Sequence, residues 1–357
     1  MKKLDVSLKL RLIRLAKYSE RKHKKRKKLK YVPIKKRFVH PLERINAPTR
    51  FNLTNGDGVE VVKFLKAVAN RVLNQQKPVK LNFRNTEFFF VPGAILLFAE
   101  LNRIINLSTI QKPITIIDPY KPKPREVMKQ IGIHQLTADE CNVIPSKDDV
   151  IFWKATKGAT QTGDDLGPIL EFVAERANKE HTNQIELSGL WRGVSEAVAN
   201  TIDHAYKLAR ADNFIGLVET KWWMFTQIKD ARFAIAVCDL GCGYKMTINH
   251  TIPESFRSRW KKIFNAENQD SSAIKIAMEY GRSGTKESNR GKGSKDALSV
   301  LVKHGSGTLV ILSNTGWVQY IIRGSKKEII KQGNIEIDIG GTIVWWDLPL
   351  ETNYEKN

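Results

Sequence analysis

Two polar segments about forty residues apart constrain this chain more than any other feature: Glu196-Ala-Val-Ala-Asn200-Thr-Ile-Asp203-His204-Ala205 and Asp239-Leu-Gly241-Cys-Gly243. The first lies in a helical run that begins near Leu190. Glu196, Asn200, Asp203 and His204 therefore recur at steps of three and four and share one helix face. Four polar groups on one such face call for a ligand or for water. The second segment closes an apolar stretch, Arg232 to Cys238, that reads as a strand. Two glycines at alternate positions then let backbone approach a flat ring that any Cβ would push away. A fold that uses both segments has to bring a helix face and a strand end to one cavity.

Further along, Gly281-Arg-Ser-Gly284 and Gly291-Lys292-Gly293-Ser294-Lys295-Asp296 precede a helical stretch from Ala297 to His304. A helix start behind a glycine-rich loop attracts phosphate, because its first N–H groups have no partner within the helix. Gly340-Gly341-Thr342 then leads into the apolar strand Ile343 to Trp346. In this order the helix with E-x-x-x-N, the strand with D-x-G-x-G, the glycine-rich loop and the final G-T resemble the GHKL superfamily of Bergerat-type ATPases. Gyrase-type topoisomerases, chaperone and mismatch-repair ATPases, histidine kinases and anti-sigma-factor serine kinases belong to it. The resemblance spans Asp165 to Pro349.

The resemblance implies ATP and Mg²⁺ as cofactors and assigns roles residue by residue. Asp239 matches the carboxylate that accepts the adenine amino proton, with Thr342 supporting the same contact through water. Gly241 and Gly243 would flank the base. Asn200 is similar to the asparagine that ligates the metal, which keeps several waters of its own. Glu196 matches the general base. Gly291, Gly293 and the backbone of Ser294 would cradle the β and γ phosphates, and Lys292 or Lys295 would add positive charge to a transferring phosphoryl group. Asp203 resembles the gyrase-type aspartate that helps hold the glycine loop, although a helix-surface salt bridge accounts for it nearly as well. His204 is read as a hydrogen-bonded core residue outside the chemistry.

Charge is distributed unevenly. Residues 1–39 hold 17 Lys or Arg against Asp5 and Glu20, which is +15 of the formal +22. The run from Arg21 to Lys28 cannot bury itself, and Leu4, Leu8, Leu12 and Leu15 ahead of it recur at helical spacing among cations. Such a tail suits nucleic acid, an anionic membrane or a partner protein, or it simply solubilises. Nucleic acid, held through residues 2–37, is the first choice because counterion release rewards dense basic runs. Lys9, Arg11 and Arg14 break any secretory hydrophobic core, and the longest apolar run, Phe88 to Phe98, is too short to span a bilayer. With three cysteines in no zinc-like spacing, these features predict a cytoplasmic protein with reduced thiols and no transmembrane segment.

Residues 40–150 read as a small α/β unit: helices over Val59–Leu73, Pro92–Ile105 and Pro124–Ile131, strands over Val79–Phe83 and Ile114–Ile117. The order resembles the STAS domains of anti-sigma-factor antagonists. In such domains a serine just before the helix-starting glycine commonly receives phosphate. Pro92 stands there, so no hydroxyl is available at that place. An unrelated βαβ unit explains the pattern almost as well.

The expected organisation is α/β throughout. A basic tail (1–39), a STAS-like domain (40–150) and a Thr/Gly/Asp-rich linker (151–167) precede a Bergerat-type α/β sandwich with a mixed sheet (168–350) and a short tail (351–357). Within the sandwich, Thr251 to Ser283 is expected to form a helical lid. Three functions compete: a Mg-ATP-dependent switch with slow hydrolysis that controls a protein or nucleic-acid partner, an anti-sigma-type serine kinase, and a sensor histidine kinase. The last lacks a phosphoacceptor histidine on a dimerisation hairpin. A regulatory protein partner is implied in a bacterial setting, and the sequence leaves open whether the chain is a homodimer.

Overall fold

The computed structural model describes residues 42–54, 56–141, 151–158, 166–168, 170–172, 175, 187–210, 221–263, 269–282, 293–324 and 327–350. The basic tail 1–39, Gly291, Lys292 and the end 351–357 lie outside the described residues.

Alternating burial builds the first layer. Strands β1 (Glu43–Asn46), β3 (Val79–Asn82) and β5 (Ile114–Ile117) pair in parallel in the order β1-β3-β5, while the two-residue strands β2 (Arg50–Phe51) and β4 (Phe88–Phe89) pair beside them. Val79 and Leu81 point into the core and Lys80 and Asn82 away from it, the period expected of a strand covered on one face. Helix α1 (Gly58–Ala69) buries Val61, Val62, Phe64, Leu65, Val68 and Ala69 at three- and four-residue steps, and it ends in a π turn at Asn70–Asn74.

The apolar run Phe88 to Phe98 divides between β4 and helix α2 (Val91–Leu107), which starts with Pro92 in its first turn. Gly93 is required there, because a Cβ would collide with the Phe51 carbonyl. Helix α2 is buried almost all round, Glu100, Asn102 and Arg103 included, which is the signature of a helix held between two layers. Helices α3 (Pro122–Gln130) and α4 (Ile133–Thr137) complete this region.

The second layer is a seven-stranded sheet in the order β11-β10-β9-β12-β8-β7-β6, built from β6 (Ile151–Gly158), β7 (Trp222–Lys229), β8 (Arg232–Asp239), β9 (Gly307–Ser313), β10 (Gly316–Arg323), β11 (Lys327–Asn334) and β12 (Thr342–Pro349). Every pairing in it is antiparallel, which corrects the expected mixed sheet. The cause lies in the connections. β7 and β8 form a tight hairpin through Asp230 and Ala231, both at positive φ, and β12 inserts between β8 and β9 running against both. Parallel pairing is confined to the small sheets.

On one face of the large sheet lie helices α5 (Leu187–Asn200), α6 (Gly243–Thr251), α7 (Glu254–Ile263), α8 (Asp270–Arg282) and α9 (Gly293–His304). Leu190, Val194 and Val198 of α5, Ile274 and Met278 of α8 and Leu298 and Leu301 of α9 share a core with Phe233, Ile235 and Val237 of β8. Gly193 lets α5 approach α9, since a Cβ there would meet the Val300 side chain. On the opposite face, α2 packs on Ala234, Ala236 and Cys238 of β8 and on Trp223 and Phe225 of β7, within a core that continues through α1 to the parallel sheet.

Glu43–Asn357 therefore form one unit, and the stretch 151–167, read as a linker, contributes the edge strand β6. Buried polar contacts fasten the two layers. Glu100 of α2 is paired with Arg103 (2.7 Å) and with Arg210, and the Trp223 indole N–H donates to Asn102 (3.3 Å). Among the described residues, no helix is long and apolar enough to cross a membrane.

Candidate functional site

A single rung of the large sheet sets the floor of the site. In register across β9, β12 and β8 stand Ser313, Thr342 and Asp239, so two hydroxyls and a carboxylate end three adjacent strands. Ser313 Oγ lies 3.2 Å from Thr342 Oγ1 and accepts the Tyr244 N–H at 2.9 Å. Asp239 is buried. Its Oδ1 accepts the Gly241 N–H at 2.9 Å, and Thr201 Oγ1 lies 3.5 Å from Oδ2. Burial is the largest influence on this carboxyl and raises it to about pH 6, against the opposing pull of the Gly241 and Thr342 backbone N–H groups, the Thr201 hydroxyl and the Arg210 charge. A buried carboxylate that lines a chamber can accept a further N–H from a ligand.

The glycines around Asp239 are sterically required. A Cβ on Gly241 would collide with the Ala205 carbonyl, and one on Gly341 would collide with the Asp239 carbonyl. Gly243 adopts φ +78° and opens α6, with the Asn314 side chain packed against it and donating to the Cys242 carbonyl at 3.1 Å.

The helix face predicted from the sequence forms the opposite wall. Beyond Asn200, α5 widens into a π turn at Thr201–Ala205, a deviation often found at functional sites, which turns Asp203 and His204 toward the same opening. Glu196, Asn200, Asp203, His204 and Lys207 line a cavity of about 690 Å³, closed on the other side by Tyr244 and Thr247 of α6, Ile252 after it, and Met278 and Tyr280 of α8. A smaller chamber of about 50 Å³ leads onto Asp239 and Thr342 and shares Asn200, His204, Tyr244 and Thr247 with the larger one. The cavity volume falls within the roughly 300–1,000 Å³ range of small-molecule sites.

Glu196 is held in a negative neighbourhood. Burial raises its carboxyl first, Asp296 of α9 adds to this, and Asp203 contributes least, while a hydrogen bond from Asn200 works in the opposite direction. A carboxylate raised in this way is suited to take up a proton.

Of the residues singled out in the sequence, Glu196, Asn200, Asp203, Asp239, Gly243 and Thr342 line these two chambers, and Gly241 buttresses the floor from behind. Gly293 and Ser294 open α9, one turn before Ala297 in the cavity wall. The stretch expected to form a helical lid holds helices α7 and α8, and α8 lines the cavity through Ala277, Met278 and Tyr280. Sequence reasoning missed Ser313, Tyr244, Thr201 and Asp296. Ser313 ends a strand as Asp239 does, but its place on the same rung depends on β12 lying between β8 and β9. Cys238 is buried with its thiol pushed up by that burial and then by Asp239, which fits a packing role. A separate group, Asp118, His134 and Cys141, brings its ligand atoms within 4.8 Å of one another, and the 2.7 Å hydrogen bond from His134 to Asp118 accounts for most of that proximity.

No protein-family model matches this chain, and no curated protein sequence matches it.

Proposed function

We propose that this chain is a Mg-ATP-binding regulatory protein of the GHKL type, in which slow hydrolysis moves the α7–α8 lid and so switches contact with a partner. The observation that carries the reading is the buried Asp239 carboxylate at the end of a central strand, on a small chamber that shares Asn200 and His204 with the larger cavity lined by Glu196, Asn200 and Asp203. In this reading Asp239 accepts the adenine amino proton and Thr342 supports that contact. Gly241 and Gly243 keep Cβ atoms clear of the base. A purine reaching Asp239 widens the inner chamber at the expense of Tyr244 and Thr247, the α6 side chains that stand between the two chambers.

Asn200 would hold Mg²⁺, with Asp203 beside it, and the ion would neutralise and gather the phosphate oxygens. Glu196 then orients the attacking water and accepts its proton. The start of α9 at Gly293 and Ser294 offers backbone N–H groups to the phosphates, and Gly291 and Lys292 would complete the cradle. The parallel β1-β3-β5 unit would be the STAS-like partner region of the same chain. Its packing on β7 and β8 through α2 gives it a route to the floor of the pocket.

The experiment is incubation of the full chain with Mg²⁺ and γ-labelled ATP, alone and with candidate partners. Label released as free phosphate supports the switch. Label retained on a hydroxyl of a partner makes the protein a serine kinase, and absence of both, together with no nucleotide binding, removes the reading.

A further inference from the structure

The parallel sheet β1-β3-β5 is covered on one face by α1 and α2, whereas parallel sheets ordinarily bury both faces. The side chains on its other face are all partly or fully exposed. Strand alternation and register place Arg44, Lys80 and Thr115 on one outward rung and Asn46, Asn82 and Ile117 on the next, with the exposed Arg84 in the turn after β3. Tyr120 stands beside Arg84, its N–H donating to the Arg84 carbonyl at 3.0 Å. Tyr120 is 66% exposed, with the guanidinium 5.4 Å from its ring centroid.

The three cations are available. Among the described residues, neither Arg44, Lys80 nor Arg84 has a carboxylate within ion-pair distance, while the nearby acids are taken: Glu43 by Arg71 at 2.9 Å, Glu87 by Lys121 at 2.7 Å and Asp118 by His134 at 2.7 Å. Lys80 lies on β3 and Arg84 in the turn that follows it, so they reach different anionic groups of one ligand. The chain's own tail carries +15, the same sign as this face, so the charge-complementary occupant is an external polyanion. An exposed ring capped by arginine is a stacking surface for a base.

We propose that this open sheet face binds single-stranded nucleic acid, with Arg44, Lys80 and Arg84 on the phosphodiester backbone and Tyr120 stacked on a base. The proposal does not depend on the ATP reading of the other cavity.

The test is fluorescence anisotropy of a labelled mixed-sequence single-stranded oligonucleotide with the full-length chain over a salt series. The triple variant Arg44→Gln, Lys80→Gln, Arg84→Gln should bind at least about tenfold more weakly. It should also lower the slope of log affinity against log salt by about 2, since each phosphate contact to a single strand contributes ~0.7. Tyr120→Ala should weaken binding roughly tenfold and leave that slope unchanged. Thermal unfolding of each variant separates a binding defect from a folding defect, and if the triple variant misfolds, the Tyr120→Ala result decides. Wild-type affinity and slope in these variants would overturn the proposal by assigning all binding to the tail. So would a loss of binding to phosphatidylserine vesicles with oligonucleotide affinity retained, which would make the face a membrane contact.

Discussion

The two faces of the seven-stranded sheet use the same alternating pattern to opposite ends. Along β8, Ala234, Ala236 and Cys238 are small and let α2 lie flush on the strand, while Phe233, Ile235 and Val237 fill the space under α5, α8 and α9. The α2 face is closed, and even its charges are internally paired, Glu100 with Arg103 and Arg210. The other face is equally apolar along the middle of the strand and opens only at its end. There Asp239, the glycines after it and the π turn at Thr201–Ala205 interrupt the packing. The cavity is thus a local interruption of a sheet-and-helix core, made by residues that cannot close it. Arg210 links the two faces: it pairs with Glu100 and its charge acts on Asp239.

If the open face does chemistry and the closed face only holds the fold, substitutions on the two should separate turnover, affinity and stability. The largest effect is expected at Glu196. Glu196→Ala should keep nucleotide bound and lower turnover by about a hundred- to ten-thousandfold, and full-rate phosphate release in that variant would reduce Glu196 to a structural residue.

Asp239→Asn should weaken ATP binding roughly ten- to a hundredfold, about 1.5–3 kcal/mol. The same variant should make the nucleotide-free protein more stable at neutral pH. A carboxyl raised to about 6 in the fold gives up ~3 kcal/mol of folding free energy to remain ionised there. Chemical denaturation at pH 8 measures this, and an unchanged midpoint would argue against a buried charge at the strand end.

The pH dependence should carry the same signature with a smaller amplitude. Because the folded value lies above the ordinary one of 3.8, the native state holds this proton more tightly than the unfolded chain. Asp239 therefore contributes less stability to the free protein as pH rises from about 4 to about 6, and a constant amount above that. Affinity for ATP runs the other way. It should fall about tenfold between pH 7 and pH 5 as the acceptor is protonated, which calorimetric titration at several pH values will show.

The smallest effect on nucleotide is expected from the closed face. Ala236→Leu overpacks the contact with α2 and should cost ~1–3 kcal/mol of stability while leaving ATP affinity within about twofold. A larger change in affinity would mean that the two faces are coupled and that the contrast between them is not one of chemistry against support.

Much of this was legible in the sequence because the signals are local. The α5 face, the Asp239 strand end, the lid helices and the α1, β3, α2, β5 and α3 elements all carry their periodicity or their glycines within a few residues. What stayed hidden depends on distant pairing. β1 is four residues long and mostly exposed, so it has no hydrophobic alternation to announce it, and it exists because β3 pairs with it. β11 carries exposed Ile329 and Ile330 in succession, which hides its alternation. Glu100, in the middle of an apolar helix, reads as the edge of a buried run until Arg210, more than a hundred residues later, arrives beside it. The continuity of the core was hidden for the same reason: α2, buried almost all round, shares one core with the parallel sheet and with one face of the large sheet.

The most direct test of the account is competition between Mg-ATP and Mg-GTP for the full-length protein, measured by calorimetry. Asp239 accepts a proton, adenine presents an amino donor at the relevant position, and guanine presents a carbonyl acceptor there instead. Saturable binding of ATP with GTP at least about a hundredfold weaker is the predicted result. Failure to bind ATP, or equal affinity for the two nucleotides, would contradict the assignment of this strand-end carboxylate as the reader of the base.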